Sequence, residues 1–230
     1  MTRLLPLVVG VVAAAGCVRL GLWQLDRLEQ RRAHNAAVER QRALDLVMLG
    51  APGGPPVRGS ADTSGLAFRR ATATGRFELE RQFVEMARSL HGAPGVYILT
   101  PLALADGRRV LVNRGWVYSA DARTVDLARL AEAESTTVRG ILVPPRSDPR
   151  AVRPDTLDPT FLPVLLRRTD LPSGAPAGLV ALPAPAMDEG PHLSYAVQWF
   201  AFGTIALVGG VLLYVRDRAR SRDADQPPAT

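Results

Sequence analysis

Pro191-His192-Leu193-Ser194-Tyr195-Ala196-Val197-Gln198-Trp199-Phe200 opens the last hydrophobic run of this 230-residue chain. Residues 196–215 are 20 positions without a formal charge. At about 1.5 Å rise per residue that is enough to cross a hydrocarbon layer of about 30 Å, so the run predicts a transmembrane helix. On a helix His192, Tyr195 and Trp199 fall at i, i+3 and i+7, one stripe at the level where water gives way to lipid. Ser194 and Gln198 lie at i and i+4 on a neighbouring face. Interface anchoring accounts for the aromatic rings; His192 is the residue of the stripe that points to chemistry.

A second apolar run lies at the other end. Leu4 to Val18 carries no charge, and Arg19 can snorkel, so a span over 4–22 is expected behind a cytoplasmic stub, 1–3. Three readings compete: a cleaved signal peptide after Ala13-Ala14-Ala15-Gly16, a lipoprotein signal ending at Cys17, and a retained helix. The run exceeds a usual signal core, and Ala14 stands where a lipidation signal has a larger aliphatic, which favours the retained helix. Two spans put both termini on one side. Arg216, Arg218, Arg220 and Arg222 follow the second span and Asp188 and Glu189 precede it, so the tail 216–230 is expected to be cytoplasmic and disordered. Arg27, Arg31 and Arg32 argue the other way, but long connecting segments cross with little regard to charge.

Composition restricts the chemistry. All 28 basic residues counted as Lys or Arg are Arg, and they are spread thinly. Residues 46–191 hold 17 Arg against 15 Asp and Glu, with no basic run, so nucleic acid is excluded as an expected partner. Cys17 is the single cysteine, and the three histidines, His34, His91 and His192, are far apart in sequence. An intrachain disulfide, a thiolate cage and a lysine Schiff base are all excluded, and no nucleophile–base pair is visible; the chain reads as a non-enzyme.

Between the spans, Gly21-Leu22-Trp23-Gln24-Leu25-Asp26-Arg27 carries the first helix onward, and helix-forming residues continue through 23–46. Gln24, Arg27 and Arg31 share a polar stripe beside Trp23, with Glu29 and Arg32 placed to pair. Residues 47–191 read as the main domain. Ala51-Pro52-Gly53-Gly54-Pro55-Pro56 predicts a loop. Strands are expected at Phe68–Phe77, Gln82–Met86, Val96–Leu104, Arg108–Val117, Thr137–Val143, Phe161–Leu166 and Leu179–Leu182, with a short helix over Ala122–Ala133. Asp106-Gly107 between two apolar runs signals a hairpin, and Pro101 predicts an edge or a bulge. The fold class is therefore an α+β membrane protein, with two transmembrane helices flanking a β-rich, mostly antiparallel extracytoplasmic domain closed as a small barrel or sandwich. Trp116 is expected to close a core and Gly115 to allow a bulge.

Four motifs in order carry a resemblance: Gly21-Leu22-Trp23-Gln24 with Arg27; Gly92-Ala93-Pro94-Gly95-Val96 leading to Thr100-Pro101-Leu102; Asp106-Gly107 followed by Leu111-Val112-Asn113-Arg114-Gly115-Trp116-Val117; and His192-Leu193-Ser194-Tyr195-Ala196 with Gln198-Trp199-Phe200. Together they resemble the Surfeit locus protein one family, cytochrome c oxidase assembly factors with two membrane helices around an extracytoplasmic domain. The resemblance implies a chaperone-like role in a bacterial cell membrane, helping haem a into the catalytic subunit of a haem-copper oxidase or maturing that subunit. Haem a synthase is a further implied partner, with membrane lipid around the spans. For such a cargo His192 is the candidate axial ligand to the iron, with Met187 near it. Trp23, Tyr195, Trp199 and Trp116 are candidates to cover the ring, Gln24 belongs to the same site, and Arg27 or Arg114 would pair propionates. His34, eleven residues past Trp23, is a poor second ligand. The competing expectation is a haem-independent scaffold that uses the same residues to dock an oxidase subunit.

Overall fold

A computed structural model of the chain describes residues 4–51, 65–144, 151–185 and 187–224. Of the loop expected at 51–56, Pro52–Pro56 lie outside the described residues. The chain divides into two compact bodies, one made of residues up to Ala36 and from Met187 onward, the other Ala37–Ala186.

The first body is a helix pair. Helix α1 spans Leu5–Ala43 and α2 spans His192–Ala224. Both contain a stretch long and apolar enough to cross a membrane, and only 11% and 17% of those stretches is buried. Val12, Ile205 and Leu212 therefore stand open where the core helix of a soluble protein would be covered. Residues 216–224, expected in a disordered tail, continue α2, because Arg, Ala, Ser and Asp there include no helix breaker.

Small residues bring the two helices together. On α1 the covered positions recur in steps of four and three: Gly10, Ala14, Cys17, Gly21, Gln24, Leu28. This is the heptad spacing of a helix seam. A Cβ on Gly10 would stand 2.8 Å from the Ala206 carbonyl oxygen and 3.1 Å from Gly210 Cα, so backbone meets backbone. Further along, Gly203 faces Ala14 and Cys17, and Gly21 lies beneath the Phe200 ring. Numbers rise on α1 as they fall on α2, so the helices are antiparallel.

The second body is a sheet of eight strands: β1 (Val47–Leu49), β2 (Arg70–Phe77), β3 (Phe83–Leu90), β4 (Ala93–Leu104), β5 (Arg109–Tyr118), β6 (Ser135–Val143), β7 (Phe161–Arg168) and β8 (Leu179–Val180). Pairing runs β1-β2-β6-β7-β5-β4-β3, with β8 on β5 and a further pairing of β2 with β4. The path β2-β6-β7-β5-β4 therefore returns to β2. Among the described residues only β1–β2 and β5–β7 are parallel; the expected antiparallel bias follows from hairpins such as β3–β4 and β4–β5. Inside the cycle pack Leu102, Leu104, Val110, Val112, Val138, Leu142, Val164 and Leu166, alternate residues of their strands.

Pro101 is not on an edge. The side of β4 facing away from β5 pairs with β3 through Leu99 and with β2 from Leu102, and Pro101 fills the gap where the partner changes. A missing N–H costs least there. The helix expected over Ala122–Ala133 reduces to a 3₁₀ turn, Leu127–Leu130, capped by Asp126 through the Ala128 N–H. Asp121 takes the preceding residues into a turn, accepting from the Arg123 and Thr124 N–H groups and from the hydroxyls of Ser119 and Thr124. Short polar side chains that bond nearby backbone compete with helix in this way.

The bulge predicted at Gly115 is present. Ile98 pairs with Gly115 while Leu99 pairs with Asn113, which leaves Arg114 as the extra residue of β5. The bulge aims Arg114 inward, where it is fully buried. Its Nε and Nη2 donate to Glu132 at 3.0 and 2.8 Å, Nη1 donates to Gln82 Oε1 at 2.8 Å, and Nη2 also reaches the Leu130 carbonyl. Arg168, 2% exposed, donates to both oxygens of the same Glu132. Burial pulls the Arg114 pKa below its ordinary value, and Glu132 acts against that pull.

Two outcomes test this architecture. Gly203→Cys places a Cβ 3.2 Å from Cys17 Cβ, a few tenths of an ångström short of disulfide geometry. Oxidation of the full chain in detergent should join Cys17 to the introduced thiol, and adding Gly210→Leu, whose side chain collides with Pro6 and Gly10, should reduce cross-linking to background. Glu132→Ala leaves two buried guanidinium groups without a counter-charge and should cost about 3–5 kcal/mol. Glu134→Ala, which breaks only the exposed pair with Arg76, should cost under about 1 kcal/mol, both read by denaturant unfolding.

Candidate functional site

The site begins with the approach to α2. Residues 187–189 are gripped by one face of α1. Arg31 donates Nε to the Asp188 carbonyl at 3.0 Å and places Nη2 3.3 Å from Asp188 Oδ1. Arg32 donates two parallel bonds to Glu189 at 2.9 and 2.8 Å, and Asn35 Nδ2 reaches the Met187 and Asp188 carbonyls. The fork of Arg32 holds the Glu189 carboxyl below its usual range. A lowered folded pKa means the clamp contributes above the unfolded value of about 4.3 and is lost as pH falls through the folded one. Arg32 thus makes its direct ion pair with Glu189, while the neighbouring Glu29 acts on it through its charge. Pro191, which needs no amide partner, then supplies its carbonyl to the Tyr195 N–H and the Ser194 hydroxyl, and α2 starts at His192.

This approach sets His192 against α1 at the next layer of the helix seam. Its Nδ1 lies 2.9 Å from Gln24 Oε1. Gln24 is buried and His192 half-buried. Beside them an open recess is lined by Trp23, Arg27, Gln30, Arg31, His34 and His192. The Trp23 ring is half exposed, the Arg27 guanidinium carbon stands 5.8 Å from its centroid, and Arg27 Nη1 donates to Gln30 Oε1 at 3.0 Å. A cation over an exposed ring contributes about 0.5–1 kcal/mol, enough to bias the ring's orientation.

The sequence-predicted residues divide into three groups. His192, Trp23, Gln24 and Arg27 come together around the recess. Tyr195 and Trp199 do not line it: Tyr195 is exposed and Trp199 meets Phe202 edge-to-face at 6.1 Å, because the turn that points His192 at α1 rotates Tyr195 about 60° away. Arg114 and Trp116 are spent inside the β domain. All of the Arg114 nitrogens donate to Glu132, Gln82 or Leu130, and Trp116 donates Nε1 to the Arg88 carbonyl at 3.0 Å within a core formed with Tyr97, Leu99 and Leu111. A buried guanidinium whose three nitrogens are all engaged is not presented to a propionate. His34, set aside for its height on α1, lines the same recess. Met187 contributes its backbone to Asn35, and its side chain is 36% exposed.

Sequence reading missed the clamp. Its signal was the facing of Arg31-Arg32 by Asp188-Glu189, opposite charges flanking two runs that must be antiparallel. Among the described residues, no three His, Cys, Asp or Glu side chains gather as a metal cluster. What the recess offers a ligand is two imidazoles, His34 and His192, with aromatic surface and guanidinium beside them.

Comparison with known proteins agrees with these motifs. The SURF1 family model matches residues 11–204. Proteins named uncharacterized SURF1-like protein from Mycobacterium bovis and Mycobacterium tuberculosis are 30% identical over 179 residues, 70% of this chain and 66% of theirs. The match thus spans just under two thirds of the mycobacterial relatives' length. A SURF1-like protein of Monosiga brevicollis is 27% identical over 91% of this chain and 87% of its own. The family match takes in α1, the β domain and the first part of α2, the elements that build the recess: the chain belongs to the SURF1 family.

Proposed function

We propose that this chain is a membrane-anchored assembly factor that holds haem a for the catalytic subunit of a haem-copper oxidase, with haem a synthase as the donor. The observation that carries the reading is His192, set on the seam by Gln24 at the edge of an open recess whose other walls include a half-exposed indole and arginines. The residues fit the group. His192 would offer the iron a nitrogen, Trp23 an apolar face, and Arg27 a guanidinium matched to a propionate. The iron's redox chemistry belongs to the receiving oxidase, and the factor itself makes and breaks no covalent bond.

In this reading α1 and α2 lie in the bacterial cell membrane with Val12, Ile205 and Leu212 against lipid, and the β domain outside the cytoplasm as a small closed barrel. Small residues at the crossing and apolar residues outside it are the pattern of helices packed in lipid. Arg216, Arg218 and Arg220 after the second span support a cytoplasmic tail. A haem-independent docking scaffold would draw on the same exposed Trp23 and Tyr195.

Reporter fusions active only outside the cytoplasm should give signal after Gly107 and none after Arg222; signal at Arg222 alone would reverse the orientation. His192→Asn should leave the factor inserted and at normal abundance, yet lower the haem a content of the assembled oxidase by at least about tenfold, the minimum expected for losing even a supporting group of a metal ligand. Full haem a occupancy in that variant favours the docking scaffold.

A further inference from the structure

We infer that Gln24 is a positioning residue for His192: its side-chain carbonyl fixes the imidazole as the Nδ1–H tautomer and leaves the Nε2 lone pair for an axial bond. The inference deepens the haem-holding reading and rests on it for the identity of the ligand, but the tautomer itself does not depend on haem. Four observations carry it.

First, the contact is short and between elements. Gln24 Oε1 and His192 Nδ1 are 2.9 Å apart although 168 residues separate them, and an amide oxygen can only accept. The proton of a neutral His192 then lies on Nδ1. An imidazole free in water carries it mainly on Nε2, so the protein reverses the intrinsic preference.

Second, Gln24 is held where it is. It is 9% exposed and occupies the seam one step beyond Gly21, where the Phe200 ring packs on the backbone. A side chain enclosed on the seam has little freedom to withdraw.

Third, a glycine stands beside the opposite edge of the ring: a Cβ at Gly190 would lie 3.4 Å from both Nε2 and Cδ2. Gly190 has φ +68°, a conformation that disfavours larger residues, so position 190 sets no side chain against Nε2.

Fourth, the approach to His192 is anchored independently. Arg31, Arg32 and Asn35 hold residues 187–189, so removing the Gln24 oxygen should free the ring without freeing the backbone. An outer partner that sets the tautomer of a ligating histidine is worth about 10–100-fold in metal affinity.

The test uses the full chain in lipid nanodiscs at mildly alkaline pH, with histidine ring ¹⁵N spectra assigned against His192→Asn. In the wild type His192 should be protonated on Nδ1. Gln24→Met, which keeps the length and apolar stem, should move the proton to Nε2 and weaken haem a binding in titration by about 10–100-fold. Gln24→Glu, which retains an acceptor oxygen, should keep the Nδ1–H form and most of the affinity. A wild type protonated on Nε2, or a Gln24→Met chain that binds haem a as tightly as wild type, overturns the positioning role. A wild type with the Nδ1–H form that takes up no haem a leaves that role standing and overturns the haem-holding reading instead.

Discussion

Helices that are apolar on every side, placed in lipid as proposed, gain nothing hydrophobic from meeting each other, because lipid is as apolar as they are. Their association has to come from close packing and from polar groups that find each other. In this chain Gly10 and Gly210 supply the first, because only hydrogen at both positions lets the backbones approach to van der Waals distance. Gln24 and His192 supply the second. They form a polar layer on a seam otherwise built of Gly, Ala, Cys, Leu and Phe, and a polar layer fixes register where small residues would tolerate sliding. The group that aligns the helices is thus the group presented to the recess.

The β domain solves a different problem with one carboxylate. The bulge turns Arg114 inward, β7 ends in Arg168, and both cations meet Glu132 in a site shielded from solvent. Gln82 completes the network and ties in Thr100. Two sequence motifs meet nearby. The Trp116 ring lies over Gly95, where a Cβ would stand 2.3 Å from it, so the glycine of one strand and the indole of the next are a single packing unit. Structural demand of this kind accounts for Arg114 and Trp116 without a ligand.

How much could be read in advance follows from the same physics. Strand alternation is a contrast between apolar and polar, and the positions of β2, β5, β6 and β7 were legible to within a few residues. The seam was not, because on a helix apolar all round the hydrophobic pattern marks no side. Its steps of four and three are carried by residue size, a weaker signal. Gln24, His192, Trp23 and Arg27 were legible as polar or aromatic groups in an apolar setting. The bond between Gln24 and His192 was not, since nothing local relates positions 24 and 192. Arg114 misled in the opposite direction: a charged residue inside an apolar strand looks like a functional group until its counter-charge, 18 residues away in Glu132, is seen.

The return of β4 to β2 has a consequence in time. Synthesis delivers β2 early, but Ala73 pairs with Val138, 65 residues (138 − 73) later, an interval of about 3–13 s at 5–20 residues per second. The hairpins β3–β4 and β4–β5 are complete well before that and can form while the edge of β2 that takes β6 waits. Closing the cycle also requires β7 to slot in parallel to β5, the kind of non-local pairing that slows folding. The domain therefore assembles from its middle outward, and the interval between the arrival of β4 and that of β6 is when the open edge of β2 is most exposed to a wrong neighbour.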